Sequence, residues 1–356
     1  MKFHVVSLPH TQVTSAYSAC AFTEKVRKFC AMMKVRGHDV ILYAGDENEA
    51  SCDEHVSCIS EAERAAAVGG KHYTQASFDY SLPHWRHFND RVANAIRDRA
   101  GPTDFVCLIG GLAHKQVADA LPHMMTVEFG CGYGGTFAKY RVFESYAWMH
   151  TCYGAQGHGN PNAAKGDHWF DAVISGYFEV EQFPFSVEKD DYYFFIGRLG
   201  CGKGEQIAAD VCAKLGKRLV VAGQGTPPRG TEYVGVIGPE ERGRLMSRAT
   251  ALLAPTVYIE PFGNIVPEAQ ACGTPTITSD WGAFTETNVN GLTGWRCRHF
   301  AEFLQAAQDV KMLDPHAIRK HALDNYSCDV IAIKYEDYFK RLGTLWGAGW
   351  YEEART

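Results

Sequence analysis

Apolar positions along this chain recur at two spacings that alternate from one end to the other. Short, nearly continuous apolar runs read as buried strands: Lys2–Leu8, Val40–Ala44, Asp104–Ile109, Met124–Phe129, Asp171–Ser175, Tyr192–Ile196, Arg218–Ala222, Tyr233–Ile237, Ala249–Pro255 and Thr274–Thr278. Between them lie stretches of helical period. In Ala21–Arg36, for example, Phe22, Val26, Phe29, Met32 and Met33 fall on one face before Gly37. The same period predicts helices over 81–99, 114–121, 136–150, 204–215, 239–248, 301–312 and 331–350. Strand–helix alternation of this kind implies α/β layering with parallel sheets.

The pattern breaks at Phe183–Asp191, where Phe-Pro-Phe is followed by the charged run Glu188-Lys189-Asp190-Asp191. The expectation is two doubly wound domains, 1–185 and 186–330, with a C-terminal helix over about 331–356 packing back onto the first. Ligands of such sheets lie at the carboxyl ends of the strands, and two sheets of this kind would face one cleft.

Composition narrows the function classes. The chain has 356 residues, 46% apolar and 21% charged, with room for two soluble domains. No run approaches the ~18 apolar residues of a membrane span. Met1–Leu8 turns polar too soon for a signal peptide and reads as the first strand. The twelve cysteines are scattered without a Cys-x-x-Cys pair, so reduced thiols in a cytoplasmic protein are expected. Neither the cysteines nor the histidines show zinc-ligand spacing, and no Asp-x-Asp motif marks a divalent ion at a diphosphate. The net charge of −6 argues against nonspecific nucleic-acid binding.

Two segments carry candidate chemistry. In Glu260-Pro261-Phe262-Gly263-Asn264-Ile265-Val266-Pro267-Glu268, two carboxylates stand eight residues apart between an apolar strand and a helix beginning near Asn264–Pro267. The N–H groups at a helix start favour phosphate. A carboxylate one turn in can bind ribose hydroxyls, and the earlier one can sit over a sugar. In Phe195-Ile196-Gly197-Arg198-Leu199-Gly200-Cys201-Gly202-Lys203-Gly204, a strand ends in Gly-Arg and Lys-Gly opens a helix. Together Arg198 and Lys203 can neutralise a diphosphate. Neither a Walker loop nor a Gly-x-Gly-x-x-Gly fingerprint is present.

In order along the chain stand Gly197-Arg198, Lys203-Gly204, Ala222-Gly223-Gln224-Gly225, Glu260-Pro261-Phe262-Gly263, Glu268, Gly273-Thr274-Pro275 and Asn290-Gly291-Leu292-Thr293-Gly294. Over residues 170–300 this resembles the retaining GT-B glycosyltransferases of family four. The resemblance implies transfer of a sugar from a UDP- or GDP-sugar to a hydroxyl acceptor with retention at the anomeric carbon, without a metal or other cofactor. It implies that Arg198 and Lys203 hold the diphosphate, with Gly197 beside them. Glu260 would contact the donor sugar, Phe262, Gly263, Asn264 and Ile265 would line it, and Glu268 would bind ribose. Val236 and Ile237 would lie near the base. The first half departs from the family: Pro9-His10-Thr11-Gln12 replaces a Gly-Gly loop, and Glu128 stands where many members have a histidine. Glu128 is therefore a candidate for contact with donor or acceptor, or a satisfied carboxylate at a strand end. The acceptor is left open between a glycan, a small molecule and a hydroxymethylated DNA base. An epimerase on the same scaffold and a non-catalytic nucleotide-sugar binding module are the competing readings.

Overall fold

The computed structural model describes residues 1–75, 79–156, 168–347 and 349. The chain forms two compact units. The first comprises Met1–Glu144, Met149–Ile174 and the segment from Ala332; the second comprises Ser145–Trp148 and Ser175–Ile331.

In the first unit, β1 (Lys2–Val6), β2 (Asp39–Gly45), β3 (Glu54–Ile59), β4 (Phe105–Leu108), β5 (Met125–Cys131), β6 (Tyr140–Phe143) and β7 (Ala172–Val173) form one sheet in the order β3-β2-β1-β4-β5-β6-β7. Every pairing is parallel. Its helices are α1 (Ala21–Val35), α2 (Glu61–Val68), α3 (Pro83–Arg97), α4 (Lys115–Ala120) and most of α5 (Tyr146–Gln156). In the second unit, β8 (Tyr192–Ile196), β9 (Arg218–Ala222), β10 (Glu232–Tyr233), β11 (Ala251–Ala254), β12 (Thr276–Ser279) and β13 (Gly294–Cys297) run parallel in the order β10-β9-β8-β11-β12-β13. Helices α6 (Glu205–Leu215), α7 (Pro239–Arg248), α8 (Ile265–Ala271), α9 (Phe284–Thr287), α10 (Phe300–Asp309) and α11 (Pro315–Tyr326) accompany it. Each sheet reverses its strand order once, between β1 and β4 and between β8 and β11. Doubly wound sheets bind ligands at such a reversal.

The continuous apolar runs follow from burial on both faces. Along β8, Tyr193 and Phe195 join Leu253 and Ile277 in one core layer, with Ala208, Val211 and Phe303 from α6 and α10. Tyr192 and Phe194 point the other way, toward Leu245, Ala269 and Ala322 from α7, α8 and α11.

Helix α12 (Cys328–Gly343) leaves the second unit and completes the core of the first. Phe339 meets Phe3 and Phe105 with ring centroids 4.7 and 4.9 Å apart, and Tyr335 meets Phe29 at 5.2 Å. Glu336 pairs with Arg36. Residues 348 and 350–356 of the expected terminal helix lie outside the described residues.

The helix expected over 136–150 is a correction: Tyr140–Phe143 is a strand and the helix begins at Tyr146. The apolar strand signature is interrupted by Arg141, which is buried because Asp171 takes it in a two-pronged ion pair at 2.9 and 2.7 Å. Strands β3 and β13 and helices α2, α9 and α11 add to the expected elements. Among the described residues no helix is long and apolar enough to cross a membrane. Among the described residues no disulfide forms, and most of the twelve cysteines are buried.

Candidate functional site

Two loops leave the carboxyl ends of β8 and β11, the strands that flank the reversal in the second sheet. The first, Gly197–Gly204, is folded tightly against its neighbours, and glycine makes this possible. Gly204 has φ +82°, and a Cβ there would lie 2.1 Å from the Pro255 carbonyl oxygen at the start of the second loop. Gly223, beyond β9, has φ +131°, and a Cβ would lie 1.8 Å from the Gly197 oxygen. The Val257 N–H donates to Gly202 O at 2.9 Å, which ties the two loops together.

This closeness brings Lys203 to Glu260. The Lys203 ammonium lies 2.5 Å from a Glu260 carboxylate oxygen, with side chains 22% and 10% exposed. Burial works against the lysine charge, yet the Glu260 carboxylate and the Tyr258 hydroxyl outweigh it and hold the Lys203 pKa above its ordinary value. The ammonium also stands 5.1 Å from the centre of the Tyr258 ring. The loop carrying Glu260 is braced by its backbone. Ala283 N–H donates to Glu260 O at 3.0 Å, and the Ser145 hydroxyl donates to Pro261 O at 2.6 Å. Phe262 is buried, and its ring meets that of Tyr326 at 65° with centroids 5.8 Å apart.

Asn264 is the last residue before α8, and Gly263 (φ +76°) makes the turn into it. The Asn264 amide oxygen is buried without a hydrogen-bond partner among the described residues. Ile265 and Glu268 lie within α8. Glu268 is 4% exposed and faces Arg242 of α7, whose Nε is 3.4 Å from a Glu268 oxygen. Both of those atoms are buried without a hydrogen bond among the described residues, so the pair keeps unused donor and acceptor capacity. Arg242 also lies over the Phe183 ring at 5.6 Å.

Gly197 stands where β8 ends, its N–H bonded to Ala222 O at 3.1 Å. Arg198 is exposed and makes no ion pair among the described residues. Val236 is 64% exposed beyond β10, while Ile237 packs partly against the core. The strand expected over 233–237 is the short Glu232–Tyr233 instead, which leaves both residues in a loop. Of the expected residues, then, Lys203 and Glu260 meet directly and Glu268 meets Arg242. Tyr258, Arg242 and Ser145 were not anticipated. Tyr258 alone carried a signal, as an aromatic residue two positions before Glu260.

Glu128 belongs to the other unit, on β5. It is fully buried, and burial raises its pKa to about 7 against the pull of the Ala138 and Phe137 N–H groups. Those two groups donate to one carboxylate oxygen at 2.8 Å each, and the Tyr133 hydroxyl donates to the other at 3.3 Å. The side chain thus holds the turn that leads into β6. His10, in the loop after β1, is buried, and burial lowers its pKa to about 4.

Residues 190–311 match the family model of glycosyl transferases group 1. The chain is 32% identical over 174 residues to a glycogen synthase of Mycobacterium tuberculosis, covering 42% of each chain. It is 35% identical over 80 residues to a phosphatidyl-myo-inositol mannosyltransferase of Propionibacterium freudenreichii, covering 21% of each. The chain therefore spans less than half the length of these relatives. Among solved structures it resembles AviGT4, a glycosyltransferase involved in avilamycin A biosynthesis, with TM-score 0.69 and 17% identity over 96% of this chain and 98% of that one. It also resembles Anabaena Alr3699/HepE in complex with UDP-glucose, with TM-score 0.65 and 13% identity over 96% and 99%. At these identities the likeness shows the fold, an α/β architecture of two parallel sheets shared with GT-B glycosyltransferases.

Proposed function

We propose that this chain, whose residues 190–311 match the family model of glycosyl transferases group 1, moves a sugar from a nucleoside diphosphate to an acceptor hydroxyl with retention of configuration. The observation that carries the reading is the Lys203–Glu260 pair at the strand-order reversal of the second sheet. A cation and a carboxylate held in contact there suit a donor whose diphosphate takes the lysine and whose sugar hydroxyls take the glutamate.

In this reading the bond from the anomeric carbon to the β-phosphate oxygen breaks, and the acceptor oxygen bonds to the same face. The acceptor proton passes to the departing phosphate oxygen. Lys203 and the exposed Arg198 meet the charge that develops on the diphosphate, where preorganised donors act most strongly. These two cations make the proposed chemistry independent of a divalent ion. Gly197, Phe262, Gly263, Asn264 and Ile265 border the donor, and Glu268, held by Arg242, takes the ribose hydroxyls. Val236 and Ile237 border the base. The UDP-glucose carried by one structural neighbour makes UDP-glucose the first donor to try; GDP-sugars are the second.

The test is nucleoside diphosphate release from UDP-glucose and GDP-mannose in the presence of EDTA, with the anomer of the product read by NMR. Release with an α-linked product supports the proposal. An inverted product, or a strict requirement for a divalent ion, refutes it in that part.

A further inference from the structure

In the first unit, a cavity of about 330 Å³ opens at the carboxyl ends of β4 and β5. Three aromatic rings, Phe22, Tyr80 and Tyr133, share its wall with Ile109 and Leu112, and Gly134 forms part of its rim. No charged side chain lines it among the described residues. The fold places charge elsewhere: the larger cavity near the amino ends of β5 and β6 is lined by Lys115, Asp119 and Lys139.

The wall is fixed in place. Tyr133 donates to the enclosed Glu128 carboxylate at 3.3 Å, and Phe22 meets the Tyr133 ring edge-on at 5.6 Å. A Cβ at Gly111 would lie 2.9 Å from the same ring, so the backbone also presses on it. A preformed apolar cavity with aromatic walls, at the strand ends of a doubly wound sheet, has the character of a small-molecule site. Its volume exceeds the roughly 150 Å³ that holds a benzene and lies near the lower end of ligand pockets, so a ring with its substituents fits, and its lining offers a phosphate or a polyanion no cation.

We propose that this cavity binds the acceptor, and that the acceptor is a neutral hydroxylated molecule carrying an apolar, ring-sized group. This rests on the transferase reading above and narrows its acceptor class. Sugar hydroxyls or alcohols remain the reacting groups, while the ring supplies affinity by stacking on Tyr80, Tyr133 and Phe22.

The probes are p-nitrophenyl β-D-glucopyranoside and methyl β-D-glucopyranoside, titrated by calorimetry into the full chain with and without UDP. The aryl glycoside is expected to bind at least tenfold more tightly. Gly134→Leu should remove that preference, because a Cβ at Gly134 meets nothing within 4 Å and the new side chain can enter the cavity without displacing backbone. Tyr80→Ala, at a side chain 52% exposed, should weaken aryl binding several-fold and decides the matter if the leucine variant melts early. Equal binding of the two glycosides, or undiminished aryl binding by both variants, overturns the proposal. UDP release from UDP-glucose separates the two readings. Release with both glycosides and no aryl preference leaves the transferase standing and removes the cavity's role. Selective, variant-sensitive aryl binding with no release from any donor keeps the cavity as a ligand site and removes the transferase.

Discussion

Replacing Lys203 by Ala leaves the Glu260 carboxylate, only 10% exposed, without its cation. Losing a hydrogen bond to a charged group costs about 1.5–3 kcal/mol, and breaking fully buried pairs costs about 3–5 kcal/mol. Because the Lys203 side chain keeps 22% of its surface in water, the lower range applies. At about 2–4 °C per kcal/mol for a unit of this size, melting of the second unit should fall by roughly 3–12 °C. Glu260→Gln should restore part of that loss in the double variant, since the amide needs no cation. The Lys203–Glu260 coupling in a double-mutant cycle is then expected at about 1–2 kcal/mol. Hydrogen exchange at the β8 and β11 amides localises the effect to the second sheet. The same Lys203→Ala variant should lower kcat by about 10²–10³, the cost of removing one preorganised charge-stabilising donor. Additivity within ~0.5 kcal/mol would remove the pair from the stability argument. Turnover unchanged within about twofold would remove Lys203 from the diphosphate.

Three further outcomes are expected. Glu128 has its pKa raised to about 7 by burial, so its ionisation is costlier in the folded chain than in the unfolded one. Stability should fall as pH rises from about 4.5 to about 7, by roughly 3 kcal/mol at most; Glu128→Gln should flatten that slope in urea titrations, and an unchanged slope would contradict the burial argument. Gly204→Ala should destabilise the second unit by more than about 1 kcal/mol, because φ is +82° and its Cβ would sit 2.1 Å from Pro255 O; a melting temperature equal to wild type would count against the loop geometry. Glu268→Ala should weaken UDP binding by about 1.5–3 kcal/mol, or roughly 10- to 150-fold, with little change in kcat at saturation; equal calorimetric affinity would exclude a ribose contact.

The second half was more legible than the first, for physical reasons. Strands β8 and β9 begin and end where their apolar runs do, because both faces are covered and, apart from the exposed Arg218 that opens β9, every side chain is apolar or half-apolar. The glycines and charges of the two loops around Lys203 and Glu260 announced themselves as turn chemistry. In the first half, β3 is an edge strand with only Cys58 and Ile59 fully buried, too polar to register as a strand. Helix α2 behind it carried a readable sign, the Ser60/Glu63 capping box, but no long apolar face. Strand β6 was hidden by Arg141, whose partner Asp171 lies thirty positions away. Arg242 was invisible for a like reason: its relation to Glu268 is a matter of how α7 packs on α8, and no local spacing encodes that.

The return of α12 sets a timetable for synthesis. The first unit needs Phe339 and Tyr335 to cover Phe3, Phe29 and Phe105, yet 157 residues separate Ile174 from Ala332 (332 − 174 − 1). At about 5–20 residues per second, the ribosome takes roughly 8–30 s to cross that interval. Throughout it the nascent first sheet carries an open aromatic face, while the second sheet, contiguous from Ser175 to Ile331 apart from four early residues, is still emerging. A chain stopped near residue 330 would hold that face uncovered for its lifetime, and should aggregate or recruit chaperones where the full chain does not.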